Sequence, residues 1–127
     1  MNDMNMIKED YVSFETAKLL KEKGFDAREC QNSPRYYYNT DGQFSGPSWD
    51  TEYTAPTLQM AMKWLREIYD LHVVTRKDFF NGTYTGRIYD GRRENVFDKE
   101  DYIGFVGCET YEKACEAAIK YCLENLI

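Results

Sequence analysis

Side chains that could act as acids, bases or nucleophiles are few and scattered in this sequence. There is one histidine, His72, so a hydrolytic or acyl-transfer centre built on an imidazole base has a single candidate. It follows Leu71 where a helix gives way to a strand, a position that favours a structural role. Four cysteines, Cys30, Cys108, Cys115 and Cys122, include no C-x-x-C pair. Cys115 and Cys122 are seven residues apart on what reads as one helix. That is roughly 10.5 Å at 1.5 Å per residue, beyond the ~7 Å reach of a disulfide and too far for both to hold one tetrahedral zinc. All four are expected to be buried, unreactive thiols. No phosphate-binding glycine loop, H-E-x-x-H helix or EF-hand loop occurs, and carboxylate pairs such as Glu100-Asp101 are too common to mark a site. The sequence therefore names no catalytic residue, no metal site and no cofactor, and an enzyme ranks third among the readings.

Recognition chemistry is better represented. Aromatic residues make up 16% of the chain and eleven are tyrosines. Tyr36, Tyr37 and Tyr38 are consecutive, so on a strand they face alternate sides and at least one is expected at the surface. Exposed tyrosine offers a large rigid face and a polar end at low entropic cost. A second concentration lies between His72 and Arg93, where Arg76, Lys77, Arg87, Arg92 and Arg93 outnumber Asp78 and Asp90. This local +3 sits in a chain of net charge −6, leaving −9 on the remainder. Interleaved with Phe79, Phe80, Tyr84 and Tyr89, it has the composition of a surface that stacks bases and pairs phosphates. The same charge on a hairpin also serves as a solvated face that protects strand edges.

These residues are positioned by elements with clear punctuation. Ser13 caps a helix over residues 14–23, Glu15 suits its first turn, and Gly24 suits the left-handed residue that ends it, with Phe25 returning onto Leu20. Residues 35–38 and 43–44, joined at Asp41-Gly42, read as a hairpin; the segment SGPSWDTEYTAP reads as a loop with a brief strand near residues 49–53. Thr57 caps a second helix through about Asp70. Its apolar side gathers Met60, Trp64, Ile68, Ala61, Leu65, Leu58, Tyr69 and Met62 over an arc of about 200°, wider than one sheet face needs. Another helix or another molecule must cover the excess. A strand opens at His72, with Asn81-Gly82 as a hairpin turn between Phe79-Phe80 and Thr83-Tyr84, and a last strand is expected over residues 102–106, with residues 92–97 as its competitor. Thr110 then caps a final helix that buries Cys115 and Cys122 and leaves Glu116 and Lys120 as an outward ion pair. The sum is an α+β fold: an antiparallel sheet of about four or five strands with three helices packed mainly on one face.

Length and composition agree with that plan. A chain of 127 residues matches one domain, and at this size roughly 65–70% of the unfolded surface is buried without help from disulfides or metals. Residues 1–127 are expected to form one domain, with residues 1–10 loosely ordered. No apolar run approaches the ~18 residues of a membrane span, so no membrane partner is expected. The N-terminal segment carries Asp3, Glu9 and Asp10 without a basic region followed by an apolar stretch, which leads to a cytoplasmic expectation. The net acidity argues against a general nucleic-acid binder.

The segments YVSFETAKLLKEKGF (residues 11–25), APTLQMAMKWLRE (residues 55–67) and EAAIKYCLENLI (residues 116–127) resemble a family of short proteins of Bacteroidetes gut bacteria often associated with phage or prophage regions. The resemblance implies a bacterial or phage cytoplasmic setting and an accessory role, and it carries over no activity, ligand or catalytic residue. The leading expectation is a small binding or adaptor protein of a phage or mobile element. It would act on another protein, or on a second copy of itself, through the strand of Tyr36, Tyr37 and Tyr38 or through Met60 and Trp64 on the second helix. The alternative is a nucleic-acid-associated accessory that uses Arg76, Phe79, Tyr84, Arg87 and Arg92 of the hairpin at residues 72–93.

Overall fold

The structure, a computed structural model, describes residues 7–30, 34–49, 51–92 and 103–127. Helix α1 (Phe14–Glu22) starts where the Ser13 side chain accepts the Thr16 N–H. It ends in a Schellman motif: Gly24 lies at φ 92°, its N–H reaches Lys21 O, and the Phe25 N–H reaches Leu20 O at 2.9 Å. That stop delivers Phe25 to the core, its ring 5.5 Å from Trp64. A single turn, α2 (Ala27–Cys30), leads on to β1 (Arg35–Tyr38). Strand β1 pairs antiparallel with β2 (Phe44–Ser48) on one side and β3 (Tyr53–Thr54) on the other. The Gly46-Pro47 segment, expected to be loop, is thus part of β2, an edge strand, where a residue without an N–H is tolerated.

Thr57 accepts the Met60 N–H to start α3 (Leu58–Tyr69), and Asp70, left-handed at φ 54°, turns the chain straight into β4 (Leu71–Lys77). Strand β4 pairs with β5 (Tyr84–Asp90), and β5 with β6 (Ile103–Cys108). The connection from β4 to β5 is longer than the two-residue turn expected at Asn81-Gly82. Asp78 opens it, exchanging main-chain bonds with Thr83 and Gly82, while the Asp78 and Asn81 carboxylate and amide oxygens hold the Phe80 and Thr83 N–H groups. Phe79 and Phe80 therefore sit in the turn rather than on a strand. Helix α4 (Tyr111–Tyr121), capped by Thr110, runs on into a π-helical turn, Cys122–Leu126. The competing strand at residues 93–97 and the start of the last strand at Tyr102 lie outside the described residues.

The α+β class holds, but the strands form two three-stranded antiparallel sheets, β2-β1-β3 and β4-β5-β6, in place of one sheet of four or five. The physical reason is the path between them: α3 begins directly after β3 and carries the chain about 18 Å, so each group pairs only with its sequence neighbours. Nor do the helices share one sheet face. Helix α1 lies on the first sheet, with the Phe14 ring 5.5 and 5.6 Å from Tyr38 and Tyr53. Helix α4 lies on the second sheet and also touches α1 and α3. Gly86 lets it come close: a Cβ there would fall 2.8 Å from the Ala114 carbonyl oxygen.

Val12, Leu20, Leu65, Leu71, Ile88, Ile119 and Leu123 form the centre of the core. Cys115 and Cys122 are fully buried among them, Cys108 is half-buried, and the Cys30 side chain lies outside the described residues. Glu116 does not form the outward pair expected with Lys120. Its Oε1 accepts from Ser13 N at 3.0 Å, Ser13 Oγ at 2.5 Å and Thr16 Oγ1 at 2.6 Å, tying α4 to the start of α1. Lys120 reaches Glu15 instead, at 3.0 Å. On α3 the wide apolar arc is covered from within. Trp64 is only 8% exposed, held edge-on between Phe25 and Tyr69, and Ile68 is left at the margin in solvent.

Candidate interaction surfaces

The first candidate surface grows from the alternation along β1. Tyr36 and Tyr38 both meet Phe44 on the neighbouring strand, and Tyr37 turns to the opposite side. Tyr36 stacks on Phe44 with ring centroids 5.4 Å apart and planes within 6°. Tyr11 leans on both rings, at 5.2 and 5.3 Å. It is held there by an isolated bridge to Thr57, flanked by bonds from Val12 N–H to Pro56 O and from Leu58 N–H to Asp10 O. Further in, the Tyr38 hydroxyl donates to Val12 O at 2.7 Å, so this row of rings is anchored at its buried end. At the other end Tyr36 and Phe44 remain 36% and 45% exposed.

Beside that exposed end lies a cleft of about 260 Å³ whose walls include Tyr11, Tyr36, Pro34, Pro56 and Met60, with the exposed Glu9 also lining it. Two residues singled out from the sequence, Tyr36 and Met60, thus meet across it, while Trp64 is in the core. Burial, with Tyr36 and Glu9 close by, raises the Tyr11 phenol above its ordinary value and keeps it a donor. Tyr11, Phe44 and Pro56 were not anticipated. Phe44 had one visible signal, its place opposite Tyr38 across the Asp41-Gly42 turn.

An adjoining cleft of about 420 Å³ contains Lys21, Arg28, Arg35, Trp49 and Glu52. Its cations are bound to their own surroundings: Arg35 donates to Trp49 O at 3.2 Å, Lys21 to Glu52 O at 3.0 Å, and Arg28 pairs with Asp26 at 3.1 Å.

The second candidate surface is the tip of the β4–β5 hairpin. Arg76, Lys77, Asp78, Phe79, Phe80, Thr85 and Arg87 surround a shallow cleft of about 330 Å³, and the Phe79 and Phe80 rings are 87% and 104% exposed. Lys77 Nζ stands 5.9 Å from the Phe79 ring. Of the residues expected to act together here, Arg76, Phe79 and Arg87 do converge. Tyr84 packs edge-on against Tyr111 of α4, and Arg92 folds back to Asp90 at 2.9 Å and to Leu126 O at 2.9 Å. The basic patch is therefore smaller than its composition implies, and Asp78 interrupts it.

His72 hydrogen-bonds through Nε2 to the Asp70 carboxylate at the start of β4. Among the described residues no group of His, Cys, Asp and Glu side chains converges as a metal site would require, and no helix is long and apolar enough to cross a membrane. No family model, no curated protein and no solved structure matches this chain.

Proposed function

We propose that this chain is a small binding protein that engages another protein through the Tyr36–Phe44 stack and the adjoining cleft of Tyr11, Pro56 and Met60, in the bacterial or phage setting its resemblance implies. The observation that carries this reading is the half-exposed stack of Tyr36 on Phe44, fixed from below by an anchored row of rings. Rings already held in place offer contact area with little further entropy to lose on binding. Strand β1 lies between β2 and β3, so its own edges are covered and a partner meets the rings it presents. The test is affinity capture from the host with the wild-type chain and with a Tyr36→Ser/Phe44→Ser variant whose circular dichroism is unchanged. Loss of the retained proteins supports the reading; an identical set on a folded variant refutes it.

Phe79 and Phe80 beside Arg76, Lys77 and Arg87 favour a second reading, single-stranded nucleic acid. Asp78 in the same cleft and the withdrawal of Arg92 weigh against it. Binding to a single-stranded oligonucleotide that falls steeply with salt and is lost in Arg76→Glu/Arg87→Glu would support this second reading. Absence of binding at low salt removes it.

A further inference from the structure

We infer that Asn81, at the exposed tip of the β4–β5 hairpin, is a site of spontaneous covalent modification, where the next main-chain nitrogen displaces the side-chain amide as ammonia and a carboxylate results. The site is separate from the aromatic cleft and does not depend on what that cleft binds.

Such a reaction needs a side-chain carbonyl carbon held close to the following nitrogen, an uncrowded approach to that nitrogen, and donors for the oxygen as it gains charge. The tip supplies all of them. Asn81 Oδ1 accepts from the Thr83 N–H at 3.0 Å and from Thr83 Oγ1 at 2.6 Å. A bond to the N–H two residues on folds the side chain over its own main chain, which brings Cγ beside the Gly82 nitrogen. Gly82 has no side chain to obstruct the attack, and even a Cβ there would meet nothing within 4 Å. Both residues are exposed, so base and water reach them from solvent. The Gly82 N–H donates to Asp78 O at 2.9 Å, a bond at the wet end of the hairpin that can open without disturbing the core.

The chain contains an internal comparison. Of its seven asparagines only Asn81 precedes a glycine. Asn39 is folded in the same way, its Oδ1 accepting from Asp41 N at 2.9 Å and Gln43 N at 3.0 Å, but it is followed by Thr40. The branched side chain of Thr40 crowds the nitrogen that would attack.

The steps balance without an oxidant or reductant. The Gly82 amide gives its proton to solvent base and its nitrogen bonds to Asn81 Cγ, and the charge placed on Oδ1 is met by the two Thr83 donors. The C–N bond to Nδ2 then breaks, ammonia leaves with a proton from water, and a succinimide ring remains. Water opens the ring at either carbonyl, giving an aspartyl or an isoaspartyl residue at position 81. The new carboxylate joins Asp78 beside Arg76, Lys77 and Arg87, so the tip becomes less basic as the chain ages. The isoaspartyl form also inserts the side-chain carbon into the main chain and alters the turn that carries Phe79 and Phe80.

The experiment is incubation of the folded chain at neutral and mildly alkaline pH in water labelled with heavy oxygen, followed by peptide mapping by mass spectrometry and by NMR. Label should enter at position 81 at a rate that rises with hydroxide, while Asn39 stays intact. The Asn81 side-chain amide signals should disappear, and one of the two product spectra should match that of freshly made Asn81→Asp. Thr83→Val, which keeps the main-chain donor and removes the hydroxyl, should slow the reaction about 5-fold. Conversion in urea but not in the folded chain, conversion of Asn39 as fast as Asn81, or a wild-type rate in Thr83→Val would each overturn the inference.

Discussion

Replacing Glu116 by alanine should cost this fold about 3 kcal/mol, a large share of the ~5–15 kcal/mol that holds a typical domain together. The figure follows from what the carboxylate touches. Its Oε1 gathers donors from Ser13 N, Ser13 Oγ and Thr16 Oγ1 at the first turn of α1. Ser13 is exposed, so water can replace its two bonds at small cost. Thr16 is fully buried, beyond the reach of water, and without the carboxylate its hydroxyl keeps only the long 3.2 Å contact to Ser13 Oγ, a loss of about 1–3 kcal/mol. Removing the negative charge from a helix N-terminus adds about 0.3–1 kcal/mol. Urea unfolding followed by circular dichroism reads the difference directly: at an m-value of ~2 kcal/mol/M the midpoint drops by roughly 1.5 M with the slope unchanged. Glu116→Gln keeps an acceptor and should lose only about 1 kcal/mol. Lys120→Ala, which breaks the solvent-facing contact to Glu15, should leave the midpoint where it was. A Glu116→Ala protein within ~0.5 kcal/mol of wild type would show that the contact is not what joins α4 to α1.

Three further outcomes follow from the core. Trp64→Lys should unfold the chain, because it removes a side chain packed between Phe25 and Tyr69 and inserts a charge, at upward of ~3 kcal/mol; a wild-type melting curve would refute this and return α3 to the list of docking surfaces. Burial, opposed in part by Arg92, pushes the Cys122 thiol up from 9.0 to about 12. The unfolded chain then releases this proton first, so the stability the thiol contributes is complete below its ordinary value and is lost as pH rises through 9.0 toward about 12. Cys122→Ser should flatten that part of an alkaline unfolding profile, and in the native wild type Cys115 and Cys122 should react with a thiol reagent only after denaturant is added. Gly86→Val should cost about 2–3 kcal/mol by driving α4 off β5, measured by thermal melting, and a neutral substitution would mean that helix and strand are less tightly apposed than Ala114 and Gly86 indicate.

The helices were legible because their ends are chemical and local. Ser13, Thr57 and Thr110 each accept an N–H three residues on, and Gly24 takes the left-handed conformation that only glycine adopts cheaply. Which strands pair is decided by contacts that no local pattern carries. The stretch Ser45–Ser48 is composed of turn formers, yet it pairs with β1, across a register shift between Tyr37–Ser45 and Arg35–Ser48, because Phe44 opposite Tyr38 starts the pairing and β2 needs only one partner. The separation into two sheets has a similar origin, since nothing in the spacing of apolar residues says that α3 will carry the chain away from the first sheet's edges. Glu116 was misassigned for a complementary reason. Its spacing from Lys120 fits an ion pair of the i,i+4 kind, but such a pair on a wet surface is worth little beside three hydrogen bonds at a helix N-terminus, and tertiary contact overrides it.

The candidate sites divide along the same line. Runs that are unusual in themselves, Tyr36–Tyr38 and the cations around Phe79, were visible, and Tyr36 of the first and Arg76, Phe79 and Arg87 of the second stand where a partner could meet them. What the runs could not show is which neighbours complete them. Tyr11 reaches Tyr36 through its bridge to Thr57 and the neighbouring Tyr38–Val12 bond, and Met60 reaches the cleft because Thr57 starts α3 at that point. Thr57 thus carries the cap of α3 and lies in the main-chain bridge that holds Tyr11. Thr57→Ala should therefore do more than fray a helix: it should cost about 1 kcal/mol in stability and also loosen the Tyr11 ring against Tyr36 and Phe44, which NMR would read as averaged Tyr11 ring shifts at temperatures well below unfolding. A variant that lost stability while keeping the wild-type Tyr11 shifts would separate cap from cleft, and would place the support of the aromatic row in Tyr38 and Val12 alone.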